Sequence, residues 1–417
     1  MALSGDLYLA VILSVLAAEY LLSVWTDRLN LRRLSPELPQ EFEGFYDPQK
    51  YARSQAYLRE TTVFDACAST FSLLFSAALI LAGGFNAIDL FARSFGLGPI
   101  LTGLLFSFAL KFLMDLLELP FELYDTFVIE EKFGFNKTTP KTFALDLLKE
   151  WGLTLAIGAP ALAAVLWLFT AYGTGAWLYV WAFVTALQLF MAFISPVLLL
   201  PLFNKFTPLG DGPLKSEIEA YTANENFTIG GIFVMDGSRR TAKTNAFFTG
   251  IGRFRRIVLF DNLIEKNTPE ELTAVLAHEM GHYKNGHLLI FTVLAVLQTG
   301  FMLWLLSFFI GNAGLFAAFR MEQVSVYAGL VFFGFLYSPV SFFLGIFMNW
   351  LSRKFEFEAD AYAGLSYGNI PAFISALKKL TVDNLSNLTP HPFKVFLEYS
   401  HPPVLERLAF LRKMGGT

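Results

Sequence analysis

Seven apolar runs in this 417-residue chain are long enough to cross a lipid bilayer, and they constrain its fold more than any other feature. A membrane-spanning helix needs about 20 consecutive, mainly apolar residues. The runs lie at about 6–25, 66–84, 99–117, 152–171, 176–203, 287–316 and 325–350. Only 16% of the residues are charged, against roughly 25% in soluble domains. The chain is therefore predicted to be a mainly α, polytopic membrane protein with seven transmembrane helices.

The distribution of positive charge predicts how these helices are oriented. Lys and Arg residues concentrate after the first, third and fifth runs and in the C-terminal tail, whereas the alternate loops carry only Arg93 and Arg320. Because cytoplasmic loops are enriched in Lys and Arg, the N-terminus is predicted outside and the C-terminus in the cytoplasm. No Lys or Arg precedes the first run, so we expect a transmembrane helix there, not a cleavable signal. The net charge of -4 gives no basic surface for nucleic acid.

The predicted organisation alternates membrane and cytoplasmic regions. Residues 1–203 hold transmembrane helices 1–5 with cytoplasmic loops at 26–65 and 118–150, and residues 287–350 hold helices 6 and 7. Between them, residues 204–286 are predicted to form a cytoplasmic region with an amphipathic helix near 214–225 and a small β-hairpin or sheet. Its strands are predicted at 231–235, 245–249 and 256–260. Residues 351–417 are predicted to be a cytoplasmic helical region with breaks at Pro371, Pro390 and Pro402.

His278, Glu279 and His282 form the pattern H-E-x-x-H in a segment that is predicted to be helical. Residues four apart share a helix face, so both imidazoles can bind one metal ion, and Glu279 can act as a general base. Thr268 and Glu271 predict a capping box at the helix start, with Pro at the first helical position. The pattern indicates a zinc peptidase. The alternative is an ordinary surface helix with two solvated histidines.

A catalytic zinc site needs three protein ligands, and the third is predicted to come from a later helix. One class of zinc peptidase uses a His six residues after the second, but position 288 is Leu. His287 is predicted to be a helix-end or interface residue, because it points to a different face. Glu356 is the candidate third ligand, and Asp360, one turn later, could accept the distal N–H of a ligating His. The alternative is a charged helix that leaves the membrane with solvated carboxylates.

Two further features concern the site's chemistry. His401 and Arg407, near the end of the chain, could stabilise an oxyanion, although a surface loop followed by an ordinary helix is the alternative. The single cysteine, Cys67, excludes an intramolecular disulfide and a zinc site built from cysteines.

Taken together, these segments resemble the CAAX prenyl protease 1 family of integral-membrane zinc metalloproteases. The resemblance covers about 40–412 and is carried by Glu41–Arg59, Tyr124–Thr139, Ser238–Phe248, the zinc helix, Ser352–Asp360 and His401–Arg407. It implies a seven-helix bundle that encloses a water-filled chamber, closed on the cytoplasmic side by the zinc domain. The compact loops indicate a bacterial member, located in the bacterial inner membrane rather than the endoplasmic reticulum.

The same resemblance implies the residues of the site. One Zn²⁺ per chain would be bound by His278, His282 and Glu356, with Glu279 as base. His401 and Arg407 would face the site. Asn245 would lie on an edge strand and hold the backbone of a peptide substrate, which can add to an exposed strand. That substrate would be a protein with a prenylated Cys-a-a-X C-terminus.

Two other functions stay open from the sequence. The first is a quality-control zinc protease with a broader range of membrane-protein substrates; such proteases have fewer spans. The second, from another class, is a channel or transporter with a structural zinc site. Against it, a structural site has no use for Glu279, and no paired repeats of broken helices occur in the chain.

Overall fold

The computed structural model describes residues 4–250 and 255–416, and the fold is mainly α-helical. Helices α1–α8 are Gly5–Leu31, Pro48–Leu81, Gly84–Arg93, Pro99–Tyr124, Pro140–Leu153, Ala159–Tyr172, Trp177–Ile194 and Leu200–Phe203. Helices α9–α17 are Pro213–Asn224, Asp261–Lys266, Pro269–Lys284, His287–Phe309, Ala313–Ala318, Val326–Ser366, Ile370–Asp383, Pro392–Glu398 and Val404–Gly415. This architecture confirms the predicted fold class.

Six helical runs among the described residues are long and apolar enough to cross a membrane. They are Gly5–Leu31, Pro48–Leu81, Pro99–Glu130, Pro140–Phe203, His287–Phe309 and Val326–Ser366. The fourth run doubles back, because Asp146 near its start and Asn204 just after its end both accept hydrogen bonds of 2.9 Å from Arg240. Gly173, with φ at 60°, lies at the turn. The fourth and fifth predicted spans thus share one helical run, so the seven predicted spans correspond to six observed runs.

A four-stranded sheet lies within the region predicted to carry strands. Its strands are β1 (Phe206–Pro208), β2 (Ile232–Met235), β3 (Ala246–Thr249) and β4 (Arg256–Phe260), in the order β1-β2-β4-β3. β2 and β4 are parallel, and the two outer pairings are antiparallel. The bounds of β2, β3 and β4 agree with the predicted strands to within one residue, whereas no strand was predicted at β1. In the described part of the chain β3 pairs only with β4, so it is an edge strand.

One hydrophobic core joins this sheet region to the two predicted cytoplasmic loops and the C-terminal tail. Tyr46, Phe133, Met280 and Leu411, one from each of these parts, belong to the same buried cluster. We call this part of the molecule the sheet end. The predicted loops are themselves largely helical: α1 continues to Leu31, α2 begins at Pro48, the third run continues to Glu130, and α5 begins at Pro140.

The last membrane helix continues without a break into the sheet end. α14 extends over 41 residues, Val326–Ser366, and carries both the seventh apolar run and Glu356. The predicted boundary at 350/351 separates membrane from cytoplasmic residues, and the helix continues across it. Charged residues such as Arg353 and Lys354 end the apolar run, but they are good helix formers and do not end the helix. Glu356 is thus fixed rigidly to a membrane span.

Candidate metal centre

Helix α11 begins with the predicted capping box. Thr268 Oγ1 accepts the N–H of Glu271 at 3.3 Å, and the Glu271 carboxylate accepts the N–H of Thr268 at 2.8 Å. The same carboxylate accepts hydrogen bonds of 2.6 Å from Ser375 and Lys379 on α15. Burial raises the pKa of Glu271, but the bonds from Lys379 and Ser375 outweigh burial and hold it below its usual range. These contacts fix the start of α11 against the C-terminal region.

Three side chains from α11 and α14 converge with the spacing of metal ligands. His278 Nε2 lies 3.3 Å from His282 Nε2, and Glu356 places one oxygen 3.4 Å from the former and the other 3.2 Å from the latter. In a tetrahedral zinc site with bonds of 2.0–2.2 Å, ligand atoms lie about 3.3–3.5 Å apart. His278, His282 and Glu356 were the predicted ligands, and together they could hold one metal ion.

Two properties of these groups fit a cation between them. Glu356 Oε2 is buried and, among the described residues, receives no hydrogen bond of acceptable geometry, although Arg407 Nη1 lies 3.2 Å away. A buried carboxylate oxygen without a hydrogen bond needs another partner. Burial and the charge of Arg407 lower the pKa of His278, but the carboxylates of Asp360 and Glu356 outweigh them and raise it to about 9. The two carboxylates thus favour positive charge at this place.

Asp360 and Arg407 lie directly behind the three candidate ligands. Asp360 Oδ1 is 2.8 Å from His278 Nδ1, so it is placed where it could accept the distal N–H of that ring. The guanidinium of Arg407 donates to both oxygens of Asp360, at 2.5 and 2.8 Å. Burial lowers the pKa of Arg407, but Asp360 and Glu356 raise it above its usual range. Arg407 is 9% exposed and is bound to carboxylates, so its surroundings favour an orienting role over contact with substrate.

His401 approaches the site from the solvent side. Its Nε2 lies 3.3 Å from Glu356 Oε1, its Nδ1 lies 2.9 Å from Ser400 Oγ, and its side chain is 65% exposed. The ring is therefore close to the ligands and still accessible to a bound molecule.

His287 makes contacts that the sequence did not predict. It is the first residue of α12, and its ring is buried and stacked on Phe355, with 3.9 Å between the ring centroids. This placement agrees with a helix-end, interface residue. In addition, His287 Nδ1 lies 3.1 Å from His282 Nδ1, and His287 Nε2 lies 3.0 Å from Glu358 Oε2. The signal was present in the sequence: a third His five residues after a ligand, and a second carboxylate two residues after Glu356.

A cavity of about 410 Å³ opens beside Glu279 and His282. Its walls are mainly apolar and come from α7, β3, α11 and α12, including Leu189, Phe248 and Leu288. Asn245 is exposed immediately before edge strand β3, and its Oδ1 accepts the N–H of Ala246 at 2.8 Å. Asn245 therefore lies at the start of the edge strand.

Comparisons with known proteins agree with this architecture. Residues 27–205 match the CAAX prenyl protease N-terminal family, described as five membrane helices, and residues 208–415 match peptidase family M48. The chain is 35% identical to the CAAX prenyl protease 1 homolog of Oryza sativa subsp. japonica, with 97% of each chain covered. It is 31% identical to that of Homo sapiens, over 96% of this chain and 95% of the relative.

A solved structure supports the same assignment. Ste24p of S. mikatae superposes with a TM-score of 0.93 at 31% identity, covering 97% of this chain and 99% of that one. The relatives named here are from a plant, an animal and a yeast, so the expectation of a bacterial member has no support. The matching family is one of peptidases, so the alternative of a channel or transporter has no support either. The chain belongs to peptidase family M48, in the CAAX prenyl protease 1 family, and is a multi-pass membrane metallopeptidase.

Proposed function

We propose that the chain is a zinc endopeptidase that cleaves near the C-terminus of prenylated Cys-a-a-X proteins at the cytoplasmic face of a membrane. The observation that carries the proposal is the spacing of 3.2–3.4 Å among His278 Nε2, His282 Nε2 and the Glu356 carboxylate. Two imidazoles and one carboxylate, with a position left for water, are the ligand set of catalytic zinc. Bound there, zinc would lower the pKa of water and polarise the scissile carbonyl.

The chain's own residues would then move the protons and stabilise charge. Glu279, half-buried at the cavity wall, would take a proton from the attacking water and pass it to the leaving amine. The exposed ring of His401 would donate a hydrogen bond to the carbonyl oxygen as negative charge develops there. Asp360, held by Arg407, would keep the His278 ring oriented with Nε2 toward the metal.

The proposed substrate class rests on the surfaces beside the ligands. An extended peptide would add to the free edge of β3, and the amide of Asn245 would bond its backbone. The mainly apolar cavity between α7, α12 and β3 would take the prenyl chain of the substrate. Relatives named CAAX prenyl protease 1 support this class.

The proposed orientation places the sheet end in the cytoplasm and the N-terminus outside. The positive charges of the loops that form the sheet end support this orientation. In this proposal the run Pro140–Phe203 crosses the membrane twice, which gives seven spans in all. Because seven is an odd number, the two ends of the chain would lie on opposite sides of the membrane. The helices would enclose a water-filled chamber above the cavity.

Cleavage assays with detergent-purified protein test the proposal. A farnesylated Cys-a-a-X peptide is compared with its unprenylated twin, and Glu279→Gln serves as the inactive control. Cleavage of the prenylated peptide alone, abolished in the control, is the expected result. Equal cleavage of both peptides would identify a broader quality-control protease, and cleavage that persists in Glu279→Gln would overturn the proposed site.

A further inference from the structure

The two histidines of the proposed metal site are supported differently. His278 has a carboxylate directly behind it, since its Nδ1 lies 2.8 Å from Asp360. Among the described residues, no carboxylate contacts Nδ1 of His282. Instead, that nitrogen faces Nδ1 of His287 at 3.1 Å. The carboxylate comes one step later, because His287 Nε2 lies 3.0 Å from Glu358.

Proton counting gives these contacts one consistent direction. If the lone pair of His282 Nε2 faces the metal, its Nδ1 carries the hydrogen and donates to Nδ1 of His287. His287 must then carry its own hydrogen on Nε2, where it donates to the Glu358 carboxylate. In this series of contacts each ring nitrogen makes one interaction, and each N–H has an acceptor.

The packing around His287 holds this arrangement in place. The ring is 1% exposed, and its plane lies within 5° of that of Phe355 at a centroid distance of 3.9 Å. Lys354, one turn before Glu358, contacts the other carboxylate oxygen at 3.6 Å and is 58% exposed. Of these two contacts of Glu358, the one with His287 is shorter and more buried than the one with Lys354.

We propose that His287 and Glu358 are positioning residues that orient His282 for metal binding. The ligand Glu356 and the supports Glu358 and Asp360 would then all come from one stretch of α14, at intervals of two residues. Loss of a group that supports a metal ligand typically weakens metal affinity by about 10–100-fold. The inference rests on the proposed zinc ligands and deepens them.

The test is zinc affinity, measured by competition with a chromophoric chelator on the full-length, detergent-purified chain. His287→Phe keeps a ring that can stack on Phe355 but removes both nitrogens. Glu358→Leu removes the acceptor, whereas Glu358→Gln keeps one. Lys354→Met is the matched control on the same helix.

We expect His287→Phe and Glu358→Leu each to weaken zinc binding by about 10–100-fold, and their double variant to be no weaker than the stronger single effect. Lys354→Met should bind close to wild type, and Glu358→Gln, which keeps an acceptor for His287, should lose less affinity than Glu358→Leu. Wild-type affinity in His287→Phe would overturn the inference. Zinc binding that survives His278→Ala would instead refute the proposed set of zinc ligands. Failure of this inference and failure of the proposed function therefore give different results.

Discussion

Gly281, the residue before the second histidine, lies directly against the backbone of Ala359 on α14. A Cβ added at Gly281 would come within 2.9 Å of Ala359 Cα and 3.0 Å of its carbonyl oxygen. Real Cβ atoms essentially never approach so closely, and backbone atoms cannot rotate away. The absence of a side chain at Gly281 therefore lets α11 and α14 approach closely enough for the three candidate ligands to meet.

Gly281→Ala is expected to push the two helices apart. Overpacking of this kind costs about 1–3 kcal/mol of folding stability, and the ligand atoms would no longer be 3.2–3.4 Å apart. Zinc affinity and thermal unfolding temperature, measured on the same preparation, should both fall. Gly345→Ala, on α14 with open space at its Cβ, is the control. If Gly281→Ala binds zinc like this control, the close approach is not needed for the site.

Glu279→Gln separates chemistry from metal binding. The substitution keeps the size of the side chain and removes the base, so peptide cleavage should fall by about 10²–10⁴-fold. Zinc content should stay at one ion per chain, since Glu279 is not among the three proposed ligands. Turnover and zinc content of the same sample check both points. Turnover near wild type would remove Glu279 as the base.

His401 and Arg407 should give different results, although the sequence suggested one role for both. His401→Ala should lower kcat by about 10²–10³-fold with little change in stability, because its side chain is 65% exposed. Arg407→Met should destabilise the protein by about 3–5 kcal/mol, since it leaves Asp360 and Glu356 buried without their partner. Measuring both the unfolding temperature and kcat of each variant distinguishes the two roles. An Arg407→Met protein as stable as wild type, with only kcat lowered, would restore the oxyanion role for Arg407.

The ion pair of Glu271 is expected to make the folding stability depend on pH. Its pKa is lowered in the folded protein, so its charge stabilises the fold above the pKa of unfolded Glu, near 4.3. That contribution is lost as pH falls through the lower, folded pKa. Glu271→Gln can still cap α11 but cannot form the ion pair with Lys379. Its deficit in unfolding temperature should be clear at pH 7 and should shrink below pH 4. A deficit that does not change with pH would mean that the charge contributes nothing.

Local signals explain what the sequence predicted well. The cap at Thr268, the spacing of His278 and His282, and the short apolar, β-type run of β4 are all encoded within a few residues. Glu356 and Asp360 were placed correctly on one face because they are one helical turn apart. These features need no knowledge of tertiary contacts.

The features that were missed depend on contacts between distant parts of the chain. His287 and Glu358 are 71 residues apart, and no local pattern pairs them. The contacts of Arg407 with Asp360 join residues 47 positions apart, so the spacing of residues in one helix could not predict them. Hydropathy marks the edge of a membrane and not the end of a helix, so the sequence did not predict that α14 continues past residue 350.

Zinc content of Glu356→Ala beside wild type is the measurement that tests the central claim most directly. Detergent-purified protein is dialysed against a mild chelator, and the metal is counted by mass spectrometry. The account predicts one zinc ion per wild-type chain and almost none in Glu356→Ala, because α14 supplies the third ligand. Full zinc occupancy in Glu356→Ala would contradict it and would place the third ligand elsewhere.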